Sequence, residues 1–584
     1  MYSPNTRHTT LGLCLLAAAA FPGMAGAAGF SFSKIVDPST PRPDGGNFIV
    51  INNIANPAID GSRLVFLAGN TLETISAWSA NADSSGLVKL ADLNTPVPGG
   101  VGNFTTLSHV GAPLIKDGTV VISGRDSNNA LHFTIHAGLY QVPASGGTLS
   151  KIVDYNDPIP GSTGNFQGWG DTNSGQRSFS VNGGRVAFKG VDFNSSGGIF
   201  LANLDGTGSI TPLAVDFGGF RCPIDTGPIL GMNGFVYPSL SGNRVSFWGN
   251  DVFDPVQGSN KIFTAPDTGA FACGFVGSSI YSLPGDPDTP QHTRYSSPWI
   301  QMDGNLIVFR ADDSQPVTDH NFLGLFAVCA DGSSSVNNPD GTPSDPTCGL
   351  PKRAQATDSP FTPIAHTEDS LPGLSGLINR NSFAFAFNQG QVLFRAFDEA
   401  TPAFHEALYL AKLSDGSITK VIAKGDSLDG KQVLELGNPG PGALSGNKLV
   451  FTAKFTDQSQ GVYSATQQPC ATDVSSGVTV TRSGFRLNRA TGRYVQNITL
   501  TNTSGSAITG PVSLVLRNLS ANATFANKTG DTACLAASGA PYLGLNLVSG
   551  VFGAGATVAR QLEFTNSGNQ PILYTTQIGA GEAP

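Results

Sequence analysis

The chain has 584 residues, with 72 Gly, 38 Pro, only 13% charged residues and a formal net charge of −9. An acidic chain without Lys/Arg clusters is poorly suited to nucleic acid or to anionic membrane surfaces. The Gly and Pro residues punctuate apolar runs and do not form tracts, so they read as turns and exclude a disordered chain.

Residues 1–27 read as an export signal. Arg7 and His8 precede the apolar run LGLCLLAAAAF (11–21), and Ala25-Gly26-Ala27 supplies small residues for cleavage. That run is too short to span a bilayer, and no later one approaches the about 20 residues a spanning helix needs. The expectation is a bacterial protein sent to the periplasm or the exterior, with no membrane insertion.

From residue 28 to 466 one phrase recurs. Its marker is a Gly before an apolar strand: Gly61 in DGSRLVFLAGN, Gly118 in DGTVVISGRD, Gly184 in NGGRVAFKGVD, Gly242 in SGNRVSFWGND, Gly304 in DGNLIVFRADD, Gly390 in QGQVLFRAFDE and Gly446 in SGNKLVFTAKF. Most copies lie about 60 residues apart, while the 304–390 interval holds an insertion. Each apolar strand ends in a polar turn residue (Asn70, Asp126, Asp192, Asp251, Asp313, Asp398). A second strand follows, as in GLYQV (138–142) and EALYLAKL (406–413), and then a third, as in TLSKIVD (148–154) and SITKVIAK (417–424). Alternation, β-branched and aromatic enrichment and Asn/Asp-Gly junctions argue strands joined by hairpins.

These features predict an all-β protein with a seven-bladed β-propeller over 28–466. The last unit has GVYSAT (461–466) but no third strand before Cys470, whereas SFSKIVD (31–37) near the N-terminus resembles TLSKIVD. The N-terminal strand is therefore expected to close the ring by completing the last blade, in preference to an open solenoid with two capped ends. The linkers PRPDGGNF (41–48), PVPGGVGNF (96–104) and PIPGSTGNF (158–166) share a fixed turn and a Phe expected to plug between blades.

After Gln467-Gln468-Pro469 the strands lengthen, as in RYVQNITLTN (493–502) and ATVARQLEFTN (556–566). Residues 470–584 read as an immunoglobulin-like β-sandwich. Removal of Cys14 with the signal leaves six cysteines, and locality favours the pairs Cys222–Cys273, Cys329–Cys348 and Cys470–Cys534.

GGRVAF (183–188) and SGNRVSFWGN (241–250) resemble the repeat of bacterial secreted tandem NxxGxxAF-type proteins and the strand phrase of TolB-type propellers. The resemblance covers about residues 30–466 and implies a propeller, with a C-terminal part similar to sandwich domains appended to such proteins. The phrases after Gly118 and Gly390 depart from the Ala-Phe ending, and the resemblance carries no catalytic residue.

Sites are sparse. The acidic turns, with a second set at Asp37, Asp92, Asp154 and Asp216, would make an oxygen-rich ring for Ca²⁺ or a cationic ligand. Their recurrence in every unit favours turn caps that bond their own backbone. In NNPDGTPSD (337–345), Asn338, Asp340 and Asp345 echo a calcium loop without its terminal acid; a disulfide-bounded surface loop is the plainer reading. No GxSxG, HExxH, phosphate-loop or dinucleotide motif occurs. Three local clusters combine charge and aromatics: His292, Arg294, Tyr295 with Trp299; His366, Glu368, Asp369; and Glu399, His405, Glu406. The leading expectation is an exported, monomeric, non-enzymatic binding or scaffold protein without a cofactor, its propeller face binding a protein or glycan. The alternative is a secreted hydrolase or lyase acting on a glycan or other polymer in the propeller channel.

Overall fold

The computed structural model describes residues 29–581 except for internal stretches, the larger being 127–136, 168–177, 216–231, 284–298, 332–347 and 351–360. The export signal, Cys222, Cys273, Cys534, Asn338, Asp340, Asp345, His292, Arg294, Tyr295 and Glu399 lie outside the described residues.

The repeated Gly is a consequence of turn geometry. Asp60 pairs with Arg63 across Gly61-Ser62, with Gly61 at φ +59°. Lys116 pairs with Thr119 across Asp117-Gly118, where φ is +49° and +75°. Two-residue hairpins that match strand twist need positive φ at one or both loop positions. Each of the seven marker glycines occupies such a position.

From these hairpins the chain builds antiparallel meanders. Among the described residues, the sheets spanning 114–154, 179–215, 232–278, 300–366 and 385–423 each contain four strands in sequence order. A sheet over 50–91 precedes them. The last sheet is built on Lys448–Phe455 and Gln460–Gln467, and its far edge is the N-terminal strand Phe30–Val36, antiparallel to Gln460–Gln467. Ser31 faces Thr466 and Lys34 faces Tyr463. Among the described residues no α-helix occurs, and no helix is long and apolar enough to cross a membrane.

The first strands of successive sheets touch in order: Ala58–Asp60, Leu114–Lys116, Phe179–Asn182, Met232–Ser241, Ile300–Asp303, Phe385–Asn388 and Leu444–Ser445, the last meeting Ala58–Asp60. Sheets stacked radially about such inner strands form a β-propeller. Splayed inner strands cannot ladder with one another, yet their backbone groups still need partners. Side chains supply them. Ser445 Oγ accepts from Gly61 N–H (2.9 Å), Asp60 Oδ2 from Asp117 N–H (2.7 Å), Ser180 Oγ from Leu240 N–H (3.0 Å) and Ser239 Oγ from Met302 N–H (2.8 Å). Gln301 Oε1 accepts from Phe387 N–H (2.9 Å) and Asn388 Oδ1 from Gly446 N–H (2.8 Å).

The linker phenylalanines are buried, but each packs on the sheet it enters: Phe48 against Trp78, Phe104 against Tyr140 and Phe166 against Phe200, with ring centroids 5.1–5.2 Å apart. The described residues of 472–580 form two five-stranded sheets and a two-stranded one. Ile498, Leu500, Leu562 and Phe564 from one five-stranded sheet share a buried cluster with Leu514, Leu516 and Ile578 from the other. Cys329 and Cys348 form a disulfide with Cα atoms 5.5 Å apart. Cys470 is also disulfide-bonded, to a partner outside the described residues.

Candidate functional site

The inner strands enclose a pocket at the end where they begin. Ala112, Leu114, Phe179, Ser180, Tyr237, Ser239, Trp299 and Gln301 line it, with Asn56 and Gly440-Pro441 from the sheets at either end of the repeat array. Its volume is about 70 Å³, several times the ~10–15 Å³ a single water requires. The three aromatics come from three different sheets. Tyr237 is placed by an irregularity in the Met232–Ser241 strand, whose register shifts between Val236 and Ser239, and it holds φ +57°. Positive φ is uncommon for a bulky residue, and bulges of this kind re-aim side chains at the rims of sites. Ser180, Ser239 and Gln301 already accept backbone hydrogen bonds from the neighbouring sheet. Trp299 Nε1 is buried without a hydrogen-bond partner. No carboxylate, imidazole, ammonium or guanidinium lines the pocket among the described residues.

Trp299 is thus the one described member of its sequence cluster, and it lies in the channel pocket. Phe179, Tyr237 and Gln301 were not legible as site residues, because each sits in an ordinary inner-strand pattern.

Two of the acidic turn residues, Asp126 and Asp398, reach beyond their own turns. Asp126 is 2% exposed and its Oδ2 accepts from Val101 N–H (3.0 Å) in the preceding PVPGGVGNF linker. Asp398, 1% exposed, accepts in the same way from Ser375 N–H (2.7 Å) and Gly376 N–H (3.2 Å). These two carboxylates pin the linker that crosses towards the inner strand, a role beyond the expected local cap, and Asp398 accepts from His405 N–H (2.8 Å) as well. The second set does cap its own turns: Asp37, Asp92 and Asp154 accept from Ser39, Asn94 and Asn156 N–H at 2.9–3.0 Å.

The His366 cluster belongs to the same turn grammar. Asp369 Oδ2 accepts from His366 N–H (2.8 Å), as Asp157 does from Asp154 N–H (2.8 Å) and Asp426 from Ala423 N–H (2.9 Å). Glu368 is exposed and joins no site.

In the third cluster, His405 and Glu406 part company. His405 faces Asp398, with Nδ1 3.1 Å from Oδ2. Glu406 is 1% exposed. Its Oε1 accepts from Leu436 N–H (2.7 Å) and lies 3.0 Å from Arg395 Nε, while Oε2 has no partner. Burial pushes the Glu406 carboxyl up, opposed by the Arg395 charge. A raised carboxyl contributes stability below its unfolded value of about 4.5 and loses it as pH rises through the folded value. Glu406→Gln should therefore gain on the wild type as pH rises above about 4.5. Melting temperatures of both proteins between pH 4 and 8 check this; a pH-independent difference would refute it.

No family model matches this chain, and neither does any curated protein. Among solved structures it is similar to the β-propeller domain of the Trilobed protease from Pyrococcus furiosus, at 8% identity and TM-score 0.38, covering 72% of this chain and 95% of that one. It is similar also to a puromycin hydrolase (13% identity, TM-score 0.39, 80% and 62% covered) and to a polysaccharide lyase (10% identity, TM-score 0.40, 74% and 97% covered). At such identity and superposition none of their activities transfers to this chain.

Proposed function

We propose that this is an exported binding protein with a seven-bladed propeller over residues 28–466, closed by its N-terminal strand, and an immunoglobulin-like sandwich over 470–584. The order of inner-strand contacts supports the blade count, and the two sheets sharing one core support the sandwich. The Cys329–Cys348 disulfide fits an oxidising compartment such as the periplasm or the exterior.

The observation that carries the binding reading is the chemistry of the channel pocket. Hydrolysis or elimination on a glycan needs a carboxylate, His or Tyr acid–base pair aimed at the scissile bond. Among the described lining residues no carboxylate or imidazole accompanies Tyr237; Phe179, Tyr237 and Trp299 offer aromatic faces, and the polar residues beside them are neutral and mostly engaged in joining the sheets. Among the described lining residues a charged ligand would lose its hydration without meeting an opposite charge. The pocket suits an uncharged group such as a neutral sugar on a glycan. Calorimetric titration with neutral and acidic oligosaccharides tests this. Neutral ligands should bind, and Trp299→Ala should weaken binding by roughly tenfold with the fold intact. Preference for acidic ligands, or unaltered binding by Trp299→Ala, would overturn the assignment.

A further inference from the structure

The linker pinned by Asp398 differs from its counterpart in what it carries. In the linker pinned by Asp126, the residue whose N–H meets the carboxylate is Val101. At Asp398 it is Ser375. His405, seven residues after Asp398, adds an imidazole to the same carboxylate. Its Nδ1 lies 3.1 and 3.3 Å from the two Asp398 oxygens, and its Nε2 lies 3.5 Å from Ser375 Oγ.

We infer that Ser375, His405 and Asp398 form a serine acyl-transfer site on the propeller surface, separate from the channel pocket and independent of the ligand reading above. The chemistry follows from the order of contacts. Asp398 has a fully buried side chain and accepts from His405 N–H (2.8 Å) as well as from the Ser375 linker. An ionised carboxylate at Nδ1 holds the proton on that nitrogen, which leaves the Nε2 lone pair directed at Ser375 Oγ. This is the relation of nucleophile, base and orienting acid that activates a serine. Asp398 is the positioning residue; Ser375 and His405 are the catalytic ones. A separation of 3.5 Å is long for the resting bond, as is usual before substrate is bound.

Ser375 is exposed and the His405 side chain is 44% exposed, so a substrate can reach both. Leu377 and Phe404, 53% and 47% exposed, flank them in sequence and offer apolar surface to a short acyl group, with Lys424 Nζ 3.8 Å over the Phe404 ring. In the step, Ser375 Oγ bonds to the acyl carbon and passes its proton to His405 Nε2. The ester C–O bond breaks and the alcohol leaves with that proton. Water then attacks the acyl carbon and gives a proton to Nε2. The carbon–Oγ bond breaks, Oγ regains the proton, and the carboxylic acid departs.

A fluorophosphonate probe on the full exported chain tests the assignment, with p-nitrophenyl acetate and butyrate as substrates. The wild type should be labelled once, at Ser375 by peptide mapping. Labelling should be lost in Ser375→Ala and fall at least about 100-fold in His405→Gln, within the 10²–10⁴ range of a general base. Because Ser375 binds Asp398 through its backbone, Ser375→Ala should keep the wild-type melting temperature. Absence of label at Ser375, or equal ester hydrolysis by wild type and folded Ser375→Ala, would overturn the proposal.

Discussion

A chain that starts after residue 37 should fail to give a stable propeller. It should be insoluble, or should melt well below the intact protein. The removed strand, Phe30–Val36, buries Phe30, Phe32, Ile35 and Val36, all between 0 and 9% exposed. Full burial of one such side chain is worth about 1.5–3 kcal/mol. Four of them approach the ~5–15 kcal/mol that separates a typical folded domain from its unfolded chain. The backbone loses its pairing as well. Residues 30–36 pair along Gln460–Gln467, and Gln468 N–H donates to Gly29 O (2.9 Å). Without them the 460–467 strand becomes an unpaired apolar edge, the kind that recruits other chains. Thermal melts of the truncated and intact proteins check this. A synthetic peptide of residues 28–38 should restore part of the lost stability when added in trans. A truncated protein with the intact melting temperature would show that the N-terminal strand is an accessory.

Repeated turns and strands were legible from the sequence, whereas contacts made between distant segments were not. The marker glycines announced the hairpins because a left-handed turn position leaves a residue-type trace in every copy. The resemblance of SFSKIVD to TLSKIVD located the N-terminal strand on the last sheet, where it pairs with Gln460–Gln467. The role of Asp126 and Asp398 was not recoverable. A carboxylate that accepts from a linker more than 20 residues upstream has the same local sequence as one that caps its own turn. Tyr237 was likewise invisible, since its place in the channel depends on a register shift in its strand. Ser375 and His405 are 30 residues apart and meet because the Asp398 turn and the preceding linker fold onto one another.

The fit between linker and sheet yields the second large effect. Gly190 lies under the Phe166 ring, and a Cβ added there would fall 2.6 Å from Phe166 Cδ1 and 3.5 Å from Phe200 Cδ2. Its backbone is not left-handed, so alanine carries no conformational penalty at this position. By itself, replacing Gly with Ala would stabilise by about 0.4–1 kcal/mol through the unfolded chain. Overpacking against a fully buried ring works the other way, at about 1–3 kcal/mol, and should win. Gly190→Ala is therefore expected to be destabilising, whereas Gly164→Ala, with no atom within 4 Å of its added Cβ, should be neutral or slightly stabilising. Phe166→Ala should cost more, about 3–5 kcal/mol, because it empties the space over Gly190, Phe188 and Phe200. The two sites should couple. Phe166→Leu combined with Gly190→Ala should cost less than the sum of the single changes, since the smaller side chain admits the new methyl group. Urea denaturation of the four variants and the double variant measures each difference. If Gly190→Ala matches Gly164→Ala, the linker phenylalanine does not clamp the sheet it enters, and the shared GNF ending of the linkers needs another cause.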